Sequence, residues 1–332
     1  MSARATGTGL LDRIIHWRPD RLIVLIVLAV VVAVLFPARG AVADTMGGVT
    51  TGAVALLFFL YGARLSPREA VQGLTHWRLH LLILAFTFVV FPLIGVVLHP
   101  LEGIIGRDLY LGILFLCLVP STVQSSVAFT SVAHGNVAGA IVSASASNLL
   151  GVIVTPVLVL VLMSGDGLHI DASVFGTVAL QLLLPFIVGQ LTRRWVLRIA
   201  ASPTTKWVDQ LSIALVVYSA FSEGIVEGVW SSVSWVTVVG LVVGSVVFVY
   251  VMLTLTSFTA RKLGFSYGDQ VAIQFCGTKK SLASGLPMAA VMFGSGGLGL
   301  LILPLMVFHQ VQLMICSVRA AAYDRRAPDN TW

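Results

Sequence analysis

Ten apolar runs follow one another along this chain with only short polar loops between them: 22–38, 46–63, 79–98, 109–133, 137–163, 174–192, 208–222, 234–257, 269–293 and 297–317. About 20 apolar residues in a helix cross the hydrocarbon layer of a bilayer. The recurrence therefore predicts an all-α, polytopic membrane protein with one integral domain, where 332 residues would otherwise suggest two or three soluble ones. Composition agrees, since only 10% of residues are charged, against about 25% in soluble domains.

The net charge of +6 does not point to nucleic acid: there is no basic helix, no interleaving of basic and aromatic residues and no block of like charge. Topology accounts for it. Arg4, Arg13, Arg18, Arg21, Arg64, Arg68, Arg78, Arg193, Arg194, Arg198, Lys206, Arg261, Lys262, Arg319, Arg325 and Arg326 all fall on one side of the ten spans. The other side has only Arg39 and Arg107. Cytoplasmic loops retain positive charge, so both termini are expected in the cytoplasm and the chain in a plasma (inner) membrane. The N-terminal arginines, apolar run and "AVA" (41–43) imitate a secretory signal, but the run is long for a signal core and reads as the first span. Cys117, Cys276 and Cys316 lie inside apolar segments and read as small buried hydrophobes, not as a disulfide framework or a metal site.

The halves look related. "GRDLYLGILF" (106–115) leads into the fourth span from outside, and "GFSYGDQVAIQF" (264–275) leads into the ninth from inside. The expected organisation is a cytoplasmic segment (1–21), a five-helix repeat (22–163), a second repeat of opposite orientation (174–317) and a cytoplasmic tail (318–332). In such plans the binding site lies at the midplane, where discontinuous helices meet.

Two spans carry interruptions. In the fourth, Pro120 cannot donate a backbone N–H and is followed by Ser121, Thr122, Gln124, Ser125 and Ser126, which are expensive toward lipid and useful toward a cavity. In the ninth, Gly277, Gly285 and Pro287 bracket Thr278, Lys279, Lys280, Ser281 and Ser284, so unwinding is expected near Gly277. A half-helix restarting near Ser281 would offer free N–H groups and a positive dipole end to an anion. In the fifth span Ser143 and Ser147 share a face, whereas Ser145 and Asn148 lie on others. Such small polar residues also serve helix packing.

With "GARLSPREA", "GLTHWRLHLL", "PSTVQSSVAFTSVAHGNVAGAI", "SASASNLLG" and "FCGTKKSLASGLPMAA", the sequence resembles the bile acid:sodium symporter superfamily, solute carrier family ten. The likeness is to the branch of its seventh member and bacterial relatives, over roughly residues 15–322. The resemblance implies ten spans in two inverted five-helix repeats, a core domain with crossed, broken helices four and nine, and a panel domain that moves against it. It also implies ion-site positions: Ser125 and Ser126 stand near a Ser-Asn pair of the sodium-coupled relatives, and Thr87 stands in the place of a helix-three Gln ligand. Against the helix-nine pattern Glu-x-Gly-x-Gln-Asn, this chain has Phe275, Lys279 and Lys280 at the Glu, Gln and Asn positions. Two sodium ions about 4 Å from an ammonium would each be repelled by about 4 kcal/mol at an effective dielectric of about 20. Ordinary two-sodium binding is not expected.

Lys279 and Lys280 lie at least ten residues from either end of their span, out of snorkelling reach of the interface. Three roles stay open for them: replacing a bound cation by donating to oxygens from Gln124, Ser125 or Ser126, carrying a coupling proton, or gripping an anionic solute. Ser121, Thr122, Gln124, Thr278 and Ser281 are candidate solute contacts with the lysines. Thr87, Ser125, Ser126, Ser143, Ser147 and Asn148 are candidates for an ion site.

The preferred expectation is a secondary transporter of an organic anion or amphipathic solute by alternating access, with the bilayer and a small molecule as partners. No cofactor, metal or nucleic acid is expected, and the sequence does not address protein partners. Two alternatives are a regulator of cellular calcium, implied by the eukaryotic branch, and a sodium-coupled bile acid-like symporter. An enzyme is not expected, because the only candidate partner for the lysines is His309 in the tenth span, beside Gln310 and Gln312.

Overall fold

The computed structural model describes residues 21–64, 76–163, 179–226, 228, 234–293 and 298–325. The expected cytoplasmic residues Arg4, Arg13, Arg18, Arg68 and Arg326, and the start of the sixth span, lie outside them. The described residues are helical, with no strand among them.

In chain order the helices are α1 (Arg21–Leu35), α2 (Ala41–Arg64), α3 (Trp77–Val97), α4 (Arg107–Leu118), α5 (Gln124–Val132), α6 (Val137–Met163), α7 (Leu184–Ala200), α8 (Pro203–Val226), α9 (Trp235–Lys262), α10 (Tyr267–Thr278), α11 (Leu282–Phe293) and α12 (Leu298–Asp324). Among the described residues, α2, α3, α6, α9 and α12 are each long and apolar enough to cross a membrane. Helix α9 shows why it belongs in lipid: Val236, Val239, Val243 and Val247, spaced three or four apart, form an exposed apolar stripe, while Leu241, Ser245, Val249 and Met252 are buried behind it. A soluble surface does not present such a stripe, and this is an integral membrane protein.

Helix α2 packs on α7 and α8, and α8 packs on α1. Where α2 crosses α7, a Cβ at Gly62 would lie 2.0 Å from the Phe186 carbonyl oxygen, and one at Gly189 would lie 2.0 Å from that of Phe59. Only glycine allows this approach. Arg64 ties the same helices together, donating from Nε to the Ala200 carbonyl (2.6 Å) and pairing through Nη1 with Asp209. The other helices pack around the two interrupted pairs, with α4 against α12, α9 against α10 and α12, and α10 against α5 and α6. Helix α8 meets α11 and α12.

Three backbone irregularities position the site. The fourth span stops at Leu118, with Val119 extended (φ −75°, ψ 155°), and resumes at Gln124, as the missing N–H of Pro120 predicts. The ninth stops at Thr278, with Lys279 extended (φ −91°, ψ 151°), and resumes at Leu282. The unwinding thus falls two residues beyond Gly277. That glycine is helical and serves packing instead, since a Cβ there would meet Thr256 Cγ2 at 3.3 Å and Phe86 Cβ at 3.4 Å. Third, α3 widens into a π turn over Phe86–Val90, where the Phe91 N–H donates to the Phe86 carbonyl. In that five-residue pattern the next donor, toward Thr87 O, would be Pro92, which has no N–H. Pro92 thereby leaves the Thr87 carbonyl without a helical partner.

Candidate functional site

The two breaks face each other, and their liberated backbone groups find partners across the crossing. The carbonyls from Cys117 to Ser121 each accept from another element: Cys117 and Val119 from Lys280 Nζ, Leu118 from Thr155 Oγ1 (2.8 Å), Pro120 from the Ser281 N–H (2.8 Å) and Ser121 from Asn148 Nδ2 (2.7 Å). From α10, Phe275 O accepts from Ser126 Oγ (3.2 Å) and Cys276 O from Ser121 Oγ (2.6 Å). Both backbone groups of Lys280 are held by one side chain of α12: its N–H donates to Gln312 Oε1 (2.9 Å), and its carbonyl accepts from Gln312 Nε2 (2.7 Å). An interrupted helix exposes polar groups that hydrocarbon cannot satisfy, and these cross-element hydrogen bonds satisfy the carbonyls from Cys117 to Ser121 and both backbone groups of Lys280.

The side chain of Lys280 is 0% exposed, and its Nζ donates to Thr87 O (2.8 Å), Cys117 O (2.8 Å) and Val119 O (2.9 Å). An ammonium has three N–H donors and a neutral amine two, so three carbonyl acceptors specify the charged form. Two of those carbonyls end α4, where the negative pole of a helix favours a cation. The Phe91 ring adds an aromatic face 4.2 Å away. Taking an ammonium out of water costs several kcal/mol, and hydrogen bonds to a charged group return roughly 1.5–3 kcal/mol each. Three of them offset the burial.

Lys279 has no such compensation. Its Nζ is buried with no hydrogen-bond partner among the described residues, 3.8 Å from the Phe129 ring centroid and 5.5 Å from that of Phe275. Tyr323 closes over Phe275 (6.3 Å between ring centroids) and donates through its hydroxyl to Gln274 Oε1 (2.7 Å). Successive residues on an extended segment point in opposite directions. The pair therefore divides into one Nζ bound by three carbonyls and one that meets aromatic rings without a hydrogen-bond acceptor among the described residues.

The structure gathers most of the residues singled out from sequence, often in different roles. Ser121, Ser126, Ser147, Asn148 and Ser281 stand at the crossing and satisfy backbone groups; Ser147 Oγ accepts from the Ser121 N–H (3.0 Å). Asn148 also reaches Ser284 Oγ through its Oδ1 (2.6 Å), so it converges with Ser147 on one site in place of a separate face. Thr122 Oγ1 links Ser125 (2.8 Å) and Ser126 (2.9 Å). Thr278 meets Thr256 (3.3 Å between hydroxyl oxygens). Ser143 is buried one turn before Ser147, against His80 Nδ1 at 2.6 Å. Gln124 is exposed.

Thr87 contributes its carbonyl, while its hydroxyl donates to Ile83 O (2.8 Å). The expected cation contacts from Gln124, Ser125 and Ser126 are replaced by carbonyls. The N–H groups of Lys280 and Ser281 are taken by Gln312 and Pro120, so they are not open to an anion. His309 approaches the Lys280 carbonyl (3.2 Å) instead of an ammonium. Sequence reasoning missed the Gln312 clamp and the Phe129 and Phe91 rings; the polar "HQVQ" inside an apolar span was the available signal for the first.

Comparison with known proteins is consistent along nearly the whole chain. The family model of the SBF-like CPA transporter family matches residues 20–325. An uncharacterized protein of Pseudomonas aeruginosa is 49% identical over 315 residues, covering 94% of this chain and 95% of the relative. The YfeH protein of Escherichia coli K12, whose name provisionally makes it a symporter, is 46% identical over 305 residues, 91% of this chain and 92% of its own. The sodium/bile acid cotransporter 7 of Danio rerio is 31% identical over 322 residues, 93% of this chain and 94% of its own.

Proposed function

This chain belongs to the SBF-like CPA transporter family, and from that premise we propose that it is a secondary transporter of an organic anion or amphipathic solute, working by alternating access without two-sodium coupling. The observation that carries the reading is the buried Nζ of Lys279, which has no acceptor among the described residues and lies beside the crossing of two interrupted helices. A buried cation without a counter-charge is costly, and a site that receives an anion gives it one. The name of the Danio rerio relative joins sodium to bile acid; the organic-anion half of that name suits Lys279, whereas Phe275, Lys279 and Lys280 do not suit sodium.

The same reading assigns the architecture. The half-helices α4 and α10 have 12 residues each, each with an aspartate in its first turn and an extended residue at its C-terminal end. Gly106 (φ 84°) and Gly264 (φ 73°) precede them in left-handed conformations. This local likeness supports two inverted five-helix repeats, 22–163 and 174–317, and the Lys and Arg bias of the loops supports both termini being cytoplasmic in a plasma (inner) membrane. Helices α1, α2, α7 and α8 form the panel, and the remaining helices form the core that moves against it.

The test is uptake of labelled organic anions into proteoliposomes containing the wild-type chain or Lys279→Ala, under sodium, potassium and proton gradients. Wild-type uptake independent of sodium and lost in Lys279→Ala is the expected result. No solute-dependent flux under any gradient would overturn the reading.

A further inference from the structure

The proposed anion contact of Lys279 leaves Lys280 without an assigned role. The ammonium of Lys280 is enclosed, and its hydrogen-bond acceptors are three backbone carbonyl oxygens, with the Phe91 ring 4.2 Å away. Those oxygens are unusual in origin. Thr87 O is vacated because the π turn aims the Phe91 N–H at Phe86 and leaves Pro92 as the next residue in register. Cys117 O and Val119 O are vacated because α4 ends at Leu118 before Pro120. Two prolines on different helices thus produce three convergent acceptors, a coordination shell of the kind that carbonyl rings offer to a monovalent cation in place of its hydration water.

We propose that Thr87 O, Cys117 O and Val119 O form a monovalent-cation site whose resident ion is the covalently attached ammonium of Lys280, and that the site accepts a free cation once the side chain is cut back. The proposal rests on the transport reading only for what it says about coupling; the site itself is a claim about binding and stability. The geometry specifies the ligand class. Three N–H donors at 2.8–2.9 Å match a primary alkylammonium. The fourth direction is taken by the alkyl stem of Lys280, so a free ligand must be a slim primary amine. Lys280→Ala removes three carbons and the nitrogen, which are the heavy atoms of n-propylammonium.

The test is the thermal unfolding of purified wild type, Lys280→Ala and Lys280→Met, titrated with n-propylammonium, potassium or sodium. Tetramethylammonium, which has no N–H, and 1-propanol, which has no charge, serve as controls. Because this readout needs no flux, its failure is separate from a failure of the transport reading. Propylammonium at ten times its dissociation constant is expected to raise the folded-to-unfolded ratio of Lys280→Ala about tenfold, with neither control doing so. Wild type, whose site is filled, and Lys280→Met, whose cavity is filled, are expected not to respond. The wild-type midpoint is also expected to be the same in sodium, potassium and choline. Equal responses from all three proteins, no response from Lys280→Ala, or stabilisation of wild type by sodium would overturn the proposal. If Lys280→Ala is not recovered folded even with propylammonium present, Lys280→Met decides: a lowered midpoint sustains the cation site, and a wild-type midpoint refutes it.

Discussion

Replacing each lysine of the adjacent pair by methionine is expected to change stability with opposite signs. Lys279 is 0% exposed and its Nζ has no hydrogen-bond partner among the described residues, so its burial is offset only by the faces of Phe129 and Phe275. A desolvated cation–π contact is worth about 2 kcal/mol, less than the several kcal/mol that burying an ion costs. Methionine has nearly the same length, and its sulfur retains roughly 0.3–1.5 kcal/mol of contact with an aromatic ring. Lys279→Met is therefore expected to stabilise the protein, by roughly 1–4 kcal/mol as for other buried charges exchanged for apolar side chains. At Lys280 the same substitution strands three carbonyls, at about 1–3 kcal/mol each, and destabilises. Chemical unfolding of the two variants in one detergent provides the comparison, with proteoliposome uptake measured alongside. A loss of more than about 1 kcal/mol in Lys279→Met would refute the assignment of Lys279 as the uncompensated charge. Full uptake by Lys279→Met would refute its assignment to the solute.

Two further substitutions test the frame around the site. Gly62→Ala places a Cβ against the Phe186 carbonyl oxygen, which cannot yield without parting α2 from α7, so a loss of about 1–3 kcal/mol or more is expected in denaturant unfolding. Gly47→Ala in the same helix meets nothing within 4 Å and is expected to be neutral or stabilising. Gln312→Leu removes the clamp on both backbone groups of Lys280, with an expected cost of about 2–5 kcal/mol by the same measurement; wild-type stability would refute the clamp.

What the sequence disclosed follows from which physical signals are local. Pro120 has no N–H wherever it stands, so the break in the fourth span was legible. The second break contains no proline, and the unwinding expected near Gly277 begins two residues beyond it, because Gly277 itself packs against Thr256 and Phe86. Helix ends were legible only as far as the apolar runs extend. Hydropathy fades at 257 and 317, yet α9 continues to Lys262 and α12 to Asp324, the last turn of α12 being held by Tyr323, which packs on Phe275 and donates to Gln274. The roles of the candidate hydroxyls were not legible, since each such group can bind a ligand or a protein group: here Ser121, Ser126 and Thr87 donate to backbone carbonyls, whereas Thr122, Ser143 and Thr278 meet other side chains. Least legible was the shell around Lys280, since backbone oxygens are the same in every residue. Pro92 and Pro120 were the local traces of it.

The division of labour between the lysines bears on how transport could be driven. A dissolved cation that enters with its solute and leaves on the far side delivers the free energy of its gradient with each passage. An ammonium attached to the chain holds the same oxygens and neutralises the same helix terminus, but it cannot leave. On the cation-site proposal, Lys280 thus supplies the electrostatics of ion binding without the coupling, and the crossing stays assembled throughout the cycle. Any driving force must enter elsewhere. The other lysine at the crossing is Lys279, whose lack of an acceptor among the described residues makes it the group most altered by an arriving anion or a departing proton. Uptake that follows the solute or proton gradient and ignores sodium is what this arrangement requires.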